Sequence, residues 1–110
     1  MKINNLTIEE VTLIDLAGNV DANTALTIQE KVLPLAQTGR KILMDMTKVP
    51  YMSSAGLRVL LLLYRQVSAK DGRIVLVGLS EEIQDTMSVT GFLDFFTTRE
   101  TIQSGLEALN

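Results

Sequence analysis

Neither cysteine nor histidine occurs anywhere in the 110-residue sequence. Without cysteine there are no disulfides, thiolate nucleophiles, zinc ribbons or redox motifs. Without histidine the commonest general base and the commonest transition-metal ligand are also missing. A catalyst would have to be assembled from Asp, Glu, Lys, Ser and Tyr, so the composition favours a binding or regulatory module over an enzyme, with no metal and no cofactor indicated. Tryptophan is absent and aromatics make up only 5% of the chain, which leaves the core to Leu, Ile, Val, Met and Ala. There is no basic stripe, and the net charge is −3. Nucleic acids and anionic membranes are therefore poor partners, since both need clustered Lys and Arg. The longest apolar run, Val59 to Leu63, is five residues and cannot span or insert into a bilayer. The opening Met1-Lys2-Ile3-Asn4-Asn5 is polar from the outset, unlike a signal peptide, so a cytoplasmic location is expected.

What is present reads as one α/β domain over residues 1–110, with an ordinary apolar fraction of 46% and too many ordered patterns for a disordered chain. Ile3 to Ile8 and Val11 to Leu16 form a hairpin pattern around Glu9-Glu10, although Glu-Glu is not a preferred turn pair. Gly18-Asn19 breaks the second strand. Asp21 is placed to cap a helix over about 22–37, with Ala25, Ile28, Val32, Leu35 and Ala36 at helical spacing and Pro34 expected to kink it or end it early. Gly39 and Arg40 lead into a strand from Lys41 to Met46, and Lys48-Val49-Pro50 is a loop. A Leu-rich helix follows from about Ala55 to Lys70, stopped by Asp71-Gly72. Ile74 to Val77 is a buried strand. Ser80 caps a further helix to about Thr90, with Glu81 and Glu82 in its first turn, where the helix dipole favours negative charge. The apolar run Phe92 to Phe96 predicts a short last strand. Thr97 and Glu100 then suggest a capping box for a final helix carrying Ile102, Leu106 and Leu109. The expected order is ββαβαβαβα: a mixed, mostly parallel sheet with an N-terminal antiparallel hairpin, covered by about four helices.

Candidate sites are few. Gly18, Gly78 and Gly91 stand alone, without the spacing of a phosphate-binding loop, and serve as turn or helix-end residues. Asp21 and Asp45 lie near strand ends, where sites gather in open parallel sheets. Each also has a structural reading, Asp21 as a helix cap and Asp45 as an Asx-type tie on the following loop. The segment Tyr51-Met52-Ser53-Ser54-Ala55-Gly56-Leu57 sets two hydroxyls directly before the long helix. One of them can cap it, and the same N-terminus would tolerate a phosphate on Ser54. On that helix Leu57, Leu60, Leu61, Tyr64 and Val67 share one face, the expected core side. Val59, Leu62 and Leu63 fall on the opposite side, either beneath a second layer or as an exposed strip for a partner. The full core stripe opposite favours exposure.

The segment Leu43-Met44-Asp45-Met46-Thr47-Lys48-Val49-Pro50-Tyr51-Met52-Ser53-Ser54-Ala55-Gly56-Leu57 resembles the signature of STAS domains, the family of bacterial anti-sigma factor antagonists and of sulfate-transporter tails. Leu16-Ala17-Gly18-Asn19-Val20-Asp21, Val77-Gly78-Leu79-Ser80 and Thr90-Gly91-Phe92 match it at other junctions, in the right order along nearly the whole chain. The resemblance implies a regulatory cycle. The unphosphorylated antagonist binds an anti-sigma factor that is also a serine kinase, and so releases a sigma factor. The kinase phosphorylates a loop serine and abolishes binding, and a metal-dependent serine phosphatase reverses the modification. Carried over by motif position, Ser54 is the phosphoacceptor, with Ser53 the alternative, and Asp21, Ser53, Ser54, Arg58, Val59 and Leu62 are the expected partner-binding residues. The sequence departs from the pattern in having Ser53 where the family usually has Asp, and Ala55 where it usually has Ser or Thr. A monomer or weak dimer is expected. The alternative within the family is a non-phosphorylated STAS subunit or scaffold of a transporter or signalling complex, in which Ser54 would be only a cap.

Overall fold

The computed structural model describes residues 1–38 and 41–110; Gly39 and Arg40, read above as leading into the third strand, lie outside the described residues. The elements run β1 (Lys2–Ile8), β2 (Val11–Ala17), α1 (Ala22–Thr38), β3 (Lys41–Lys48), α2 (Ser54–Ala69), β4 (Arg73–Val77), α3 (Glu81–Val89), a 3-10 helix (Phe92–Phe95), β5 (Thr97–Arg99) and α4 (Ile102–Leu109). They build one five-stranded sheet in the order β1-β2-β3-β4-β5. β1 pairs antiparallel with β2, and every later pair is parallel.

This order decides where the helices go. From β2 to β5 each crossover steps the same way across the sheet, and right-handed crossovers then put α1, α2 and α3 on one face. Side chains alternate along the strands, so Ile14, Leu16, Ile42, Met44, Met46, Ile74 and Leu76 meet those helices in the larger core. The other face, with Val11, Leu13, Leu43, Val75 and Val77, is closed by α4 through Leu106, Ala108 and Leu109. Here α4 lies unusually close to the sheet, because a Cβ on Gly105 would stand 2.7 Å from Leu43 Cδ1 and Val77 Cγ2.

Three expectations are corrected, and the hairpin expected around Glu9-Glu10 is observed. Pro34 does not end α1, which continues to Thr38; the proline lies on the exposed side, away from Ile28, Val32 and Ala36, which anchor the helix in the core. Phe92 to Phe95 is a 3-10 helix, not a strand. Its aromatics are drawn onto α2, with the Tyr64 ring 5.7 Å from Phe95 and 5.5 Å from Phe96, which sheet geometry would not permit. The last strand is therefore Thr97–Arg99, paired with β4. With Thr97 in that strand, the capping box of α4 is Thr101 with Ser104 and not Thr97 with Glu100. The Glu9-Glu10 turn forms despite its residues, both left-handed at φ 50° and 71°, as a two-residue type I′ turn requires.

Candidate functional site

Parallel strands deliver their C-terminal ends, and the loops that follow, to one edge of the sheet. Two of those loops meet. Gly18 N–H donates to the Lys48 carbonyl at 3.0 Å, Val20 N–H to the Tyr51 carbonyl at 2.9 Å, and Ser53 N–H to the Val20 carbonyl at 2.8 Å. Val20 and Met52 form a parallel bridge. The loop after β2 and the loop after β3 are thus joined just before each turns into a helix, which sets Asp21 beside Ser53.

Each helix start is capped from its own sequence. Asp21 Oδ1 accepts from the backbone N–H of Asn23 at 2.9 Å and of Thr24 at 3.1 Å, while Thr24 Oγ1 accepts from Asp21 N–H at 3.0 Å. This reciprocal arrangement satisfies donors that the first turn leaves unpaired. Ser53 Oγ accepts from Gly56 N–H at 3.4 Å and is the N-cap of α2, with extended backbone. Asp45 ties its own loop, its Oδ1 accepting from Thr47 N–H at 3.0 Å and from the Thr47 hydroxyl. Its neighbour in register across the β2–β3 pair, Asp15, faces Lys48 at 3.8 Å.

Gly56 is what allows α2 to start so close to the other loop. A Cβ there would lie 2.7 Å from Met52 Cγ, from Val20 Cγ1 and from the Val20 carbonyl oxygen, distances that real Cβ atoms do not occupy. That carbonyl is the acceptor of the Ser53 N–H, so the same atom both positions the cap and excludes a side chain at Gly56.

The two serines consequently differ. Ser53 is half-buried, with its oxygen engaged in capping. Ser54 is the first residue of α2, exposed, and its hydroxyl has no hydrogen-bond partner among the described residues. Arg58 is exposed one turn further along.

The strip expected opposite the core face of α2 is corrected. Val59 is 6% exposed and Leu63 fully buried, because α2 is covered by the sheet, by α1 and, near Tyr64, by the 3-10 helix. Its buried arc runs through Gly56, Leu57, Val59, Leu60, Leu63 and Val67, nearly half of the circumference. Leu62 is half-buried, as is Leu61, which the spacing had placed on the core side. The outer strip of α2 is therefore Ser54, Arg58, Leu61, Leu62 and Arg65. Two exposed apolar side chains near this edge were not foreseen: Tyr51, 53% exposed in the loop before Ser53, and Leu26, 62% exposed in the second turn of α1. For Leu26 a signal was present, since it falls outside the Ala25, Ile28, Val32 stripe. For Tyr51 the sequence carries none.

No helix among the described residues is long and apolar enough to cross a membrane. The STAS domain family model matches residues 2–105. The anti-sigma-B factor antagonist of Bacillus subtilis is 29% identical over 94 residues, covering 86% of each chain. Among solved structures, an anti-sigma factor antagonist from Mycobacterium paratuberculosis superposes with a TM-score of 0.88 at 19% identity, over 98% of this chain and 92% of that one. The Bacillus cell fate determinant SpoIIAA in its phosphorylated form gives a TM-score of 0.76 at 18% identity, over 99% of this chain and all of that one. On the fold, the joined loops and these matches together, the chain belongs to the STAS domain family, among the anti-sigma factor antagonists.

Proposed function

We propose that the chain is a phosphorylation-switched binding module that acts through Ser54. Unphosphorylated, it binds an anti-sigma factor that is also a serine kinase and so frees a sigma factor, regulating transcription in the cytoplasm, with all 110 residues acting as one STAS domain. The kinase transfers the γ-phosphoryl group of ATP to Ser54 Oγ, releasing ADP and the hydroxyl proton, and binding is lost. A metal-dependent serine phosphatase restores it. The observation that carries this reading is the division between the two serines. Ser53 is engaged as the cap, whereas Ser54 offers a free, exposed hydroxyl at the positive end of a helix dipole.

A phosphate on Ser54 would meet the unpaired N–H groups of the first turn, and Arg58 one turn on can supply a charge-assisted partner. The fold has no need to change. The effect on a partner is electrostatic: about two negative charges are added to a surface that must be desolvated on docking. That surface comprises Asp21, Ser53, Ser54, Arg58 and Leu62, flanked by Tyr51 and Leu26. Val59, being in the core, is not part of it. The names of the relatives support the partner class, and the existence of a phosphorylated SpoIIAA supports the modification.

Incubation with ATP and the cognate kinase, read by intact mass, tests the assignment. The parent and Ser53→Ala should each gain one phosphoryl group, and Ser54→Ala none. Phosphorylation retained in Ser54→Ala and lost in Ser53→Ala would move the acceptor to Ser53.

A further inference from the structure

The two edges of the sheet are unlike. At one, β5 is three residues long, and short edges resist pairing with other chains. At the other, β1 is seven residues long, contains no proline, and pairs with β2 without a break in register from Lys2 to Ile8. None of the devices that usually block an edge is present beyond a terminal lysine. Five of its residues are exposed, including Leu6 at 51%.

Antiparallel ladders alternate between bonded and non-bonded pairs. The two-residue turn closes on Ile8 and Val11, so Ile8, Leu6, Asn4 and Lys2 direct their backbone groups into β2. Ile3, Asn5 and Thr7 therefore present theirs outward, unpaired within the sheet. The ends of the strand carry opposite charge, Lys2 at the start and Glu9-Glu10 in the turn at the finish. The extended strand from Lys2 to Ile8 keeps Lys2 roughly 20 Å from the acidic turn within one molecule. Neither has a salt bridge among the described residues.

We propose that β1 pairs with β1 of a second copy of this chain, antiparallel about a two-fold axis normal to the sheet and centred on Leu6. In that register Leu6 faces Leu6 of the second copy, and Asn5 faces Thr7 in hydrogen-bonded pairs made by the outward groups. Lys2 of each copy, beyond the last paired residue, comes alongside the Glu9-Glu10 turn of the other, twice. Antiparallel self-pairing is the arrangement that brings the basic end of the strand to the acidic one. Centring on Asn5 would set Asn4 against Leu6, losing the apolar match. A single strand pair buries little area, which makes the dimer weak and concentration-dependent. It uses none of the residues through which Ser54 is proposed to act, so either reading can fail without the other.

Sedimentation equilibrium from micromolar to about millimolar protein tests this. The parent should pass from monomer to dimer across that range. Asn5→Pro removes an outward N–H that the β2 ladder does not use, and should remain monomeric. Lys2→Glu and Glu10→Lys should each raise the dimer dissociation constant at least about tenfold, and the double variant, which restores opposite charges across the axis, should recover most of that loss. Should Asn5→Pro not fold, the charge exchange decides. A parent that stays monomeric throughout overturns the proposal, as does a double variant that associates no more tightly than the single ones.

Discussion

Replacing Gly56 with alanine isolates the contact on which the site's geometry depends. In an ordinary helix the change would stabilise by about 1 kcal/mol, since glycine is the poorer helix former. Here the new methyl would meet Met52 Cγ, Val20 Cγ1 and the Val20 carbonyl oxygen, each at 2.7 Å. Met52 can swing away at small cost. The carbonyl cannot, because it accepts the Ser53 N–H at 2.8 Å and belongs to the bridge between the two loops. Relief then requires α2 to lift from the loop after β2, and overpacking of this kind costs about 1–3 kcal/mol. Set against the helix gain, we expect a net loss of about 1 kcal/mol, or about 4 °C in melting temperature for a chain of this length, read by circular dichroism. Phosphorylation of Ser54 should slow in the same variant under conditions where it is folded. A Gly56→Ala protein melting at or above the parent temperature would show that the loops do not approach so closely, and would refute the reasoning.

Further expectations follow from the caps, the turn and the layers. Asp21→Ala removes the acceptor of two first-turn N–H groups and should lower stability by about 1 kcal/mol in thermal melting. Glu9→Asn with Glu10→Gly relieves two left-handed non-glycine residues and should raise stability by about 1–2 kcal/mol in urea titration; no gain would mean that the turn is unstrained. Val59→Glu should cost at least about 3 kcal/mol, because a carboxylate would be buried without a partner. Leu62→Glu, half-exposed, should cost about 1 kcal/mol or less while weakening partner binding, and the two melts compared side by side separate the core from the docking surface.

The strands with strict apolar runs, the Leu-rich helix and the Ser80 cap were legible because each signal is local, as was a cap by one of the two serines before α2, which the structure assigns to Ser53. The Asp21 and Asp45 roles were readable for the same reason: their partners lie within three residues. What escaped depends on layers. Val59 and Leu63 are apolar at positions that one packing face would leave exposed, but α1 and the sheet cover α2 from two sides. Phe92 to Phe96 has the composition of a strand, but it packs as a 3-10 turn and its exit against residues distant in sequence, Tyr64 among them. The close approach at Gly56 likewise depends on Val20, a residue of another loop. Short apolar runs carry no periodicity long enough to separate helix from strand.

The central claim is that one phosphate on Ser54 switches binding without switching the fold. Calorimetric titration of the anti-sigma factor kinase with the unphosphorylated protein and with the protein carrying phosphate on Ser54 alone addresses it directly, accompanied by a melt of each form. The account predicts a dissociation constant at least about a hundredfold higher for the phosphorylated form, with melting temperatures that agree within a few degrees. Equal affinities, or an affinity lost only because the phosphorylated protein has unfolded, would contradict it.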